Sequence, residues 1–335
     1  MGRIKLSFAG VHVDFVDRDR ALRRVEEWAR EGMVKVQVVY GPEGCGKTAW
    51  LRQSVELLRG LGFDVVYVNP INREFLTEVH AVDLRDRFLA MIREAISQDA
   101  LGRLVWLTFD VAKELIRVTR GRIAVIVDDA FQVIGARESA LYVKALLNLI
   151  EYPPEHYEKI ITIAATSEGV SRGEIGRHRW ASIRPLWNMA MEGFRQLYDQ
   201  VPGVKPDFEE AWGLTGGNPK MLEELYKARW DVNEVLRDII ETRGLRKFIE
   251  SLSGVERRWL QEAVDDPDTL FVRERMSLLE KLVELNLVLD NIPDRDVESW
   301  IDEPPPERYP ELGIGRRVAW QSPLHREAVK RVLEG

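Results

Sequence analysis

A glycine-rich segment that ends in a lysine and a threonine carries the clearest chemistry in the sequence. Its pattern, Gly-x-x-x-x-Gly-Lys-Thr, runs from Gly41 to Thr48. Glycines let a backbone fold closely around phosphate groups and aim its N–H groups at them, before a helix N-terminus that favours anions. A lysine at the end of such a loop reaches the β- and γ-phosphates of a nucleoside triphosphate, and the threonine hydroxyl ligates Mg²⁺. The segment therefore predicts a site for nucleotide and Mg²⁺.

Every position of this loop is a candidate contact to the nucleotide. The predicted phosphate-binding residues are Gly41, Pro42, Glu43, Gly44, Cys45, Gly46, Lys47, Thr48 and Ala49. Lys47 is also a predicted catalytic residue because its ammonium group faces the transferred phosphate, and Thr48 is a predicted metal ligand. Cys45 is most simply a small filler residue of the loop.

An acidic pair supplies the second partner that such a metal needs. The apolar run Ile123–Val127 is typical of a buried strand, and it ends in Asp128 and Asp129. Ligands of α/β proteins bind at the carboxyl ends of parallel strands. We expect Asp128 to hold Mg²⁺, directly or through water. Asp129 would act as the general base that polarises the attacking water, or would be a plain supporting carboxylate.

Strands and helices alternate around these motifs. Val36–Tyr40 is a valine-rich run of buried-strand type, and Leu51, Val55 and Leu58 follow it at helical spacing. The run Phe63–Pro70 is a further strand candidate. This alternation predicts an α/β protein of the P-loop NTPase class, with a parallel sheet flanked by helices.

One more apolar run, beginning at Lys159, ends in two hydroxyl residues, Thr166 and Ser167. At the end of a strand of the same sheet, either hydroxyl would be placed to donate a hydrogen bond to the γ-phosphate or to the attacking water. We take Ser167 as the candidate catalytic residue. A simple turn residue fits the pattern equally well.

Composition narrows the class of protein. The 335 residues are long enough for two or three domains, carry a net charge of −7 and include one cysteine. The charge gives no global reason to expect nucleic acid, and a single cysteine excludes an internal disulfide framework. No apolar stretch is long enough for a membrane span. We expect a cytoplasmic protein with no membrane partner.

The order of these signals resembles the archaeal ATPase family of the STAND branch of AAA+-like P-loop NTPases, relatives of origin-recognition ATPases. "FVDRDRALRRVEEW" (Phe15–Trp28) is similar to the family's N-terminal box, although Ala21 stands where an acidic residue is usual. The resemblance implies that Phe15, Val16 and Arg18 line an adenine pocket. The family more often shows Asp-Glu than the Asp-Asp found here.

Two later motifs also carry the resemblance. "GEIGRHRWASIRPL" is similar to the family's segment after the sensor strand, which implies that Arg177 approaches the γ-phosphate, with Arg172 and Arg179 as alternatives. A solvated arginine is the other interpretation of each. "LTGGNPKML" is similar to the start of the family's lid helix, which implies that Pro219 packs near the adenine. Asn218 followed by proline is in any case a good helix start.

The C-terminal part has a different pattern. Past about residue 245, helices precede two strand-like runs, "LNLVLDNI" and "RRVAWQ", and a last helix follows Ser322. This order resembles the winged-helix domain that relatives carry. An acidic, proline-rich insertion at about 290–313 is expected to form an extended wing or a partner-binding arm. We predict a nucleotide-binding domain at 1–188, a helical lid at 189–244 and a winged helix at 245–335.

The predicted function is that of a slow Mg-ATP-hydrolysing conformational switch that binds ATP and ADP. ATP is preferred over GTP because of the resemblance and because no guanine-reading Asn-Lys-x-Asp motif is present. We expect a protein partner or self-association. Residues 245–335 contain 14 basic and 19 acidic residues, so DNA binding is possible but not favoured. The alternatives are a DNA-binding ATPase of origin-recognition type and a nucleotide-bound interaction protein with negligible turnover.

Overall fold

The chain folds into two compact units. In the computed structural model, residues 2–78, 82–97, 101–167 and 169–335 are described. The first unit consists of Met1–Ile4, Asp19–Tyr40 and Lys47–Pro185, and the second of Lys5–Arg18, Gly41–Gly46 and Leu186–Gly335. The residues of the glycine-rich loop up to Gly46 are thus grouped with the second unit, and Lys47 opens the next segment of the first. The division into three domains stays a prediction, since it concerns a lid and a C-terminal region that both belong to the second unit.

The elements alternate as the sequence predicts in the first half and become mainly helical in the second. The strands are β1 (Lys5–Phe8), β2 (Val11–Asp14), β3 (Val36–Tyr40), β4 (Asp64–Asn69), β5 (Glu74–Glu78), β6 (Arg122–Asp128), β7 (Lys159–Thr166), β8 (Ala181–Pro185), β9 (Val288–Leu289) and β10 (Ala319–Trp320). The helices are α1 (Asp19–Glu31), α2 (Lys47–Gly60), α3 (Val82–Ser97), α4 (Leu101–Thr119), α5 (Phe131–Glu151), α6 (Gly169–Gly176), α7 (Met191–Gln200), α8 (Phe208–Thr215), α9 (Pro219–Lys227), α10 (Val232–Thr242), α11 (Leu245–Ser251), α12 (Gly254–Asp265), α13 (Met276–Glu284) and α14 (Pro323–Glu334). Among the described residues, no helix combines the length and the apolar character that crossing a membrane requires.

A six-stranded sheet forms the centre of the first unit. Its order is β5-β4-β6-β7-β3-β8, and every neighbouring pair is parallel except β4 with β5. Strands β3, β4 and β6 are buried along almost their whole length, which explains why their sequences are continuous apolar runs. The predicted α/β class, with a mostly parallel sheet flanked by helices, is confirmed.

The sheet brings the predicted chemical groups to one edge. Strand β6 ends at Asp128, which is in register with Ala165 of β7, and β4 ends at Asn69 on the other side of β6. Parallel strands end at the same edge, so the side chains that follow them become neighbours. The apolar core of this unit is formed by β3, β4, β6 and β7 together with residues of α4 and α5.

The second unit joins a small hairpin to a set of helices. Strands β1 and β2 pair antiparallel, and a core of apolar residues connects this hairpin with α7, α8 and α9. A second core is built from α9 to α14. The two strand-like runs of the C-terminal part do pair, but β9 and β10 contain only two residues each.

The insertion at about 290–313 differs from the expected arm. Its centre is buried: Trp300 and Ile301 have no exposed surface, and Asp302 is 4% exposed. The indole N–H of Trp300 donates a hydrogen bond to the carbonyl of Asp294. The segment is therefore anchored in the second unit by apolar side chains that lie between acidic and proline residues, and the prediction of an extended arm was wrong at this point.

The half-buried carboxylate of Asp268 organises the turn before β10. The two side-chain oxygens of Asp268 accept hydrogen bonds from the backbone N–H groups of Arg316, Arg317 and Val318, at 2.6, 2.8 and 3.0 Å. Three amides pointing at one carboxylate form a stable anion-binding turn, and each bond to a charged acceptor is stronger than a neutral one.

Replacing this carboxylate tests its contribution. We expect Asp268→Ala to lower the free energy of unfolding by about 2 to 4 kcal/mol, because three backbone donors lose a charged acceptor. Urea denaturation measures the change. Asp238→Ala, at an exposed position of α10, is the matched control and should stay within about 0.5 kcal/mol of the parent protein. Equal losses in both variants would contradict this role of Asp268.

Candidate functional site

The end of β6 carries a fully buried carboxylate. Oδ2 of Asp128 accepts two hydrogen bonds at 3.0 Å, from the hydroxyl of Tyr67 and from Nδ2 of Asn69, both on β4. Its other oxygen, Oδ1, is buried and makes no hydrogen bond with any residue that the structure describes. Two donors thus fix one oxygen and leave the second for a further ligand.

The electrostatics of Asp128 also call for a partner. Burial raises the pKa of this carboxyl to about 6, and the neighbouring charge of Asp129 adds to the rise, while the Thr48 hydroxyl, Asn69 and Tyr67 oppose it. A buried carboxylate with one oxygen unsatisfied, close to a hydroxyl, is a set of hard oxygen donors of the kind that Mg²⁺ binds. The residues present therefore fit the predicted metal.

Asp129 sits on a strained turn directly after the strand. Its φ is +48°, in the left-handed region that few residues other than glycine adopt, although aspartate tolerates it better than most. Its N–H donates to the carbonyl of Ala165 at 3.1 Å, which holds the turn. The hydroxyl of Ser167 lies 3.5 Å from Oδ1 of Asp129, and Gln132 donates to that hydroxyl at 3.0 Å. The predicted base and the predicted hydroxyl are thus neighbours, and Gln132 is an addition that the sequence reasoning missed.

The three candidate arginines differ in their surroundings. Arg177 follows α6, is 71% exposed at its side chain and pairs with Glu174 at 2.8 Å. Arg179 is also exposed. The guanidinium of Arg172 instead lies over the ring of Tyr40, 4.8 Å from its centroid. Because Tyr40 is the last residue of β3, immediately before the loop, Arg172 is the candidate that the fold brings to this edge of the sheet.

The backbone of the glycine-rich loop is held by donors of the second unit. The carbonyl oxygens of three consecutive residues, Glu43–Cys45, each accept a hydrogen bond. The donors are, in order, Nδ2 of Asn218 at 2.9 Å, the backbone N–H of Lys220 at 3.3 Å and a guanidinium nitrogen of Arg18 at 2.6 Å. Each bond fixes the plane of one peptide.

Fixing the carbonyls also fixes the amides. In a trans peptide the C=O and the following N–H point to opposite sides, and none of the described peptides is cis. Each N–H of residues 44 to 46 therefore points away from the donor that binds the carbonyl of its own peptide. That of Cys45 closes a turn with the carbonyl of Pro42 at 3.2 Å, and those of Gly44 and Gly46 flank it in sequence. Backbone amides with fixed directions in such a loop are suited to bind an anion.

Gly44 is required by the packing of this loop. A Cβ at this position would lie 2.1 Å from Cβ of Lys220, and its φ of +76° is in the left-handed region. The sequence predicts that the glycines of the loop leave space for phosphate. The structure adds that the close neighbour of Gly44 is the first turn of α9.

The predicted helix start at Asn218 and Pro219 is confirmed, and the assignment of this helix to a lid stays a prediction. Oδ1 of Asn218 accepts hydrogen bonds from the N–H groups of Lys220 and Met221, at 3.0 and 3.1 Å, and Pro219 occupies the first turn. Gly217 precedes them with a φ of +78°, and a Cβ there would lie 2.2 Å from the carbonyl oxygen of Met189. The predicted contact of Pro219 with adenine stays a prediction.

The first four residues of the N-terminal box, Phe15 to Arg18, form a strained and mostly buried turn in the second unit, and the box continues in α1. Phe15 is 4% exposed, Val16 is half-buried, and both Asp17 and Arg18 have positive φ values of 62° and 63°. Their role as an adenine pocket stays a prediction. The Arg18 guanidinium donates hydrogen bonds to the loop carbonyl of Cys45, to the carbonyl of Trp187 and to the carboxylate of Asp302.

Glu43 links the loop to residues near the C-terminus. Its N–H donates to the side-chain oxygen of Gln321 at 2.6 Å, and its carboxylate pairs with Arg243 at 2.5 Å. His325, at the start of α14, is fully buried and lies 2.8 Å from the hydroxyl of Ser322. The sequence gives no indication that Gln321 or Arg243 contacts Glu43. The histidines show no metal-ligand spacing in the sequence and are expected to be core or surface residues.

The state of His325 gives the stability a specific pH dependence. Burial lowers the pKa of His325 to about 4; the positive charge of Arg243 also lowers it, and Glu43 opposes. Since the folded pKa is below the unfolded value, this group's contribution is present above about pH 6.5 and is lost as the pH falls toward 4, by at most about 3 kcal/mol. In urea denaturation, His325→Gln should lose less stability than the parent protein between pH 7 and pH 4.5. His156→Gln, at an exposed position, is the control; if both variants follow the parent, the assignment is wrong.

Several solved structures resemble this chain over most of its length at low sequence identity. Among them, the Aeropyrum pernix ORC2 protein, in ADPNP–ADP complexes, is 12% identical with a TM-score of 0.41, covering 94% of each chain. The Aeropyrum pernix ORC1 protein in complex with DNA is 16% identical with a TM-score of 0.40, covering 96% of this chain and 92% of that one. AMPPCP-bound DnaA from Aquifex aeolicus is 15% identical with a TM-score of 0.40, covering 80% and 78%. At these scores the likenesses carry no argument.

The sequence match to a family is stronger. No curated protein matches this chain. A family model described as an ATPase domain predominantly from Archaea matches residues 15–225, which is more than half of the chain. The matched span begins at Phe15 and includes the glycine-rich loop, the pair Asp128 and Asp129 and the start of α9. The chain therefore belongs to this family of archaeal ATPase domains.

Proposed function

We propose that this protein binds Mg-ATP and hydrolyses it slowly, as a nucleotide-dependent conformational switch of the STAND type. The observation that carries the proposal is the fixed orientation of the loop peptides: the carbonyls of Glu43–Cys45 each accept a hydrogen bond, so each N–H of residues 44 to 46 points away from the donor bound to its own peptide. Since the Cys45 N–H already closes a turn, the amides of Gly44 and Gly46, ahead of a helix that begins with Lys47 and Thr48, are the donors proposed for phosphate oxygens.

In this proposal the phosphates of ATP or ADP accept hydrogen bonds from these amides and from the Lys47 ammonium group. Lys47 is 5% exposed, so its charge lies where little water competes for it. The loop residues from Gly41 to Ala49 make the remaining contacts. Adenine recognition is assigned to Phe15, Val16 and Pro219, which rests on the family resemblance.

Thr48 and Asp128 are the residues that would hold Mg²⁺. The buried, unpartnered Oδ1 of Asp128 supports this assignment, because a cation would remove both the unsatisfied oxygen and the cost of the buried charge. When bound, Mg²⁺ neutralises charge on the β- and γ-phosphate oxygens. Tyr67 and Asn69 keep the carboxylate oriented by their bonds to Oδ2.

Asp129 is the proposed general base. Its half-buried carboxylate follows directly after the metal-binding residue, and Ser167 and Gln132 form a hydrogen-bonded chain that orients it. The base accepts a proton from water as the water oxygen attacks the γ-phosphorus in line with the leaving oxygen of ADP. For the cationic group that offsets developing charge, the sequence favours Arg177. The contact of Arg172 with Tyr40 supports Arg172 instead.

The C-terminal part is proposed to be a winged helix that transmits the nucleotide state to a protein partner or a second copy of the chain. DNA is not the favoured partner, because the region carries more acidic than basic residues and two of its arginines are engaged within the protein. Arg326 donates hydrogen bonds to the carbonyls of Pro310 and Glu311, and the guanidinium of Arg317 lies over the ring of Phe271. A cytoplasmic location is proposed from composition alone, since a chain with one cysteine has no internal disulfide framework of the kind that an oxidising compartment maintains.

Calorimetry with Mg-ATP tests the binding step. We expect measurable heat of binding for the native protein, and a loss of affinity of about 100-fold or more for Lys47→Ala, because a buried ammonium group no longer meets the phosphates. Lys35→Ala, an exposed lysine just before β3, is the matched control and should bind like the native protein. No binding by well-folded native protein, or equal affinity in Lys47→Ala, would overturn the proposal.

A phosphate-release assay tests the chemical step. Asp129→Asn should bind Mg-ATP with similar affinity but release phosphate at least about 100-fold more slowly, because the amide cannot accept the proton of the attacking water. Circular dichroism checks that the strained turn still folds. If native protein and variant release phosphate at the same rate, near zero, the protein is a nucleotide-bound interaction module and the assignment of catalysis fails.

A further inference from the structure

Asp302 lies in the insertion for which the sequence predicts an extended wing or a partner-binding arm, and it is buried against Arg18, which contacts the loop. We propose that Asp302 is a positioning residue for nucleotide binding, which acts through Arg18 on the peptide joining Cys45 to Gly46. This inference rests on the proposed function, because it concerns the same phosphate-binding loop.

The contact is a buried ion pair within the second unit. One guanidinium nitrogen of Arg18 donates to Oδ2 of Asp302 at 2.9 Å, and the two side chains are only 4% and 5% exposed. The other terminal nitrogen donates to the carbonyl of Cys45 at 2.6 Å and to that of Trp187 at 2.8 Å. A planar guanidinium with fixed donor directions is thus held on one side by a carboxylate and presented on the other to the loop.

The backbone at Arg18 cannot hold this geometry by itself. Asp17 and Arg18 both adopt left-handed φ values, a conformation that costs about 1 kcal/mol or more for each such residue. Next to them, the Asp17 carboxylate occupies the space above Gly193, where a Cβ would lie 2.0 Å from Oδ2. A strained turn persists only where its surroundings determine it, and the Asp302 carboxylate is one of the groups that do so.

Asp302 is itself held firmly. The preceding residues, Trp300 and Ile301, are fully buried, and the ring of Trp300 meets that of Trp187 edge to face, with centroids 6.3 Å apart. Trp187 is also the residue whose carbonyl accepts from Arg18. The insertion therefore contacts the arginine directly through the Asp302 carboxylate, and Trp300 packs against Trp187, whose carbonyl binds the same guanidinium. The segment is a fixed support for Arg18.

The consequence for the loop follows from the planarity of the peptide. The Cys45 carbonyl that accepts from Arg18 belongs to the same peptide as the Gly46 N–H, the last amide before Lys47. Without its carboxylate partner, a buried guanidinium is drawn toward water, and its hold on this peptide weakens. The Gly46 amide then loses its fixed direction, and nucleotide binding has to restore that order at a cost in affinity.

The first test measures the loop without nucleotide. In Asp302→Asn, amide hydrogen exchange of the segment Gly41–Gly46 should become at least about threefold faster than in the native protein, while exchange in β6 is unchanged. Ile301→Val, which trims the neighbouring buried side chain and keeps the ion pair, controls for loosened packing. Glu307→Gln, an exposed carboxylate of the same insertion, controls for charge. Equal exchange in Asp302→Asn and the native protein would overturn the inference and leave the proposed function intact.

The second test measures affinity. Calorimetry with Mg-ADP should show binding at least about tenfold weaker for Asp302→Asn and less than about twofold weaker for either control. In a double-mutant cycle, adding Asp302→Asn to Arg18→Gln should cost little more than Arg18→Gln alone, because Asp302 acts through the Arg18 guanidinium that this change already removes. Additive losses would overturn the inference. If Asp302→Asn fails to fold, Asp302→Glu, which keeps the charge and displaces it, should fold and show the same loss. Absence of binding by the native protein would overturn the proposed function, and this inference with it.

Discussion

The structure depends on the direction of three peptide planes. A loop rich in glycine has many accessible conformations, and glycine alone gives no reason for its amides to point in one direction. Here donors from Asn218, Lys220 and Arg18 bind three successive carbonyls, so the amide of each peptide points away from the donor bound to that peptide. Each bond is worth only about 1 kcal/mol net, yet together they order the receptor before a ligand arrives.

The edge of the sheet, in contrast to the amide-rich loop, carries concentrated negative charge. Two adjacent carboxylates, Asp128 and Asp129, stand at the end of a buried strand, and one of them is fully enclosed. Burial and like charge make this arrangement unfavourable without a cation, which is why the pKa of Asp128 is raised. The left-handed turn at Asp129 adds strain. Such costs are typical of sites whose final partner comes from solution, and they give Mg-nucleotide binding a physical reason to stabilise the fold.

Local signals predicted much of this arrangement, and long-range contacts could not be predicted. Strand β3 and the start of α2 follow from the valine run and the loop pattern, and Asn218 is an N-cap as its sequence context indicates. The partners of the loop, by contrast, lie far from it in sequence. Nothing near Asp302 in the chain indicates that it meets Arg18, since a carboxylate among prolines and acids is usually solvated.

The same limit explains two differences from expectation. The helical register of α6 decides which of its neighbouring arginines turns toward β3, and a motif gives no register at the end of a helix. Arg177 is therefore exposed while Arg172 packs over Tyr40. The insertion was expected to extend because its composition is acidic and rich in proline, but Trp300 and Ile301 provide enough apolar surface to bury its centre.

The origin of the loop's supports bears on how a switch would work. The residues that bind the loop come from positions 18, 218, 243 and 321, so they span almost the full length of the second unit. If a ligand orders the loop, it strengthens these contacts. By thermodynamic reciprocity, any change that strengthens the contacts raises the affinity of the loop for the ligand. Under the proposed function, a change at Gln321 or Arg243 would therefore reach the phosphate-binding loop directly through these contacts.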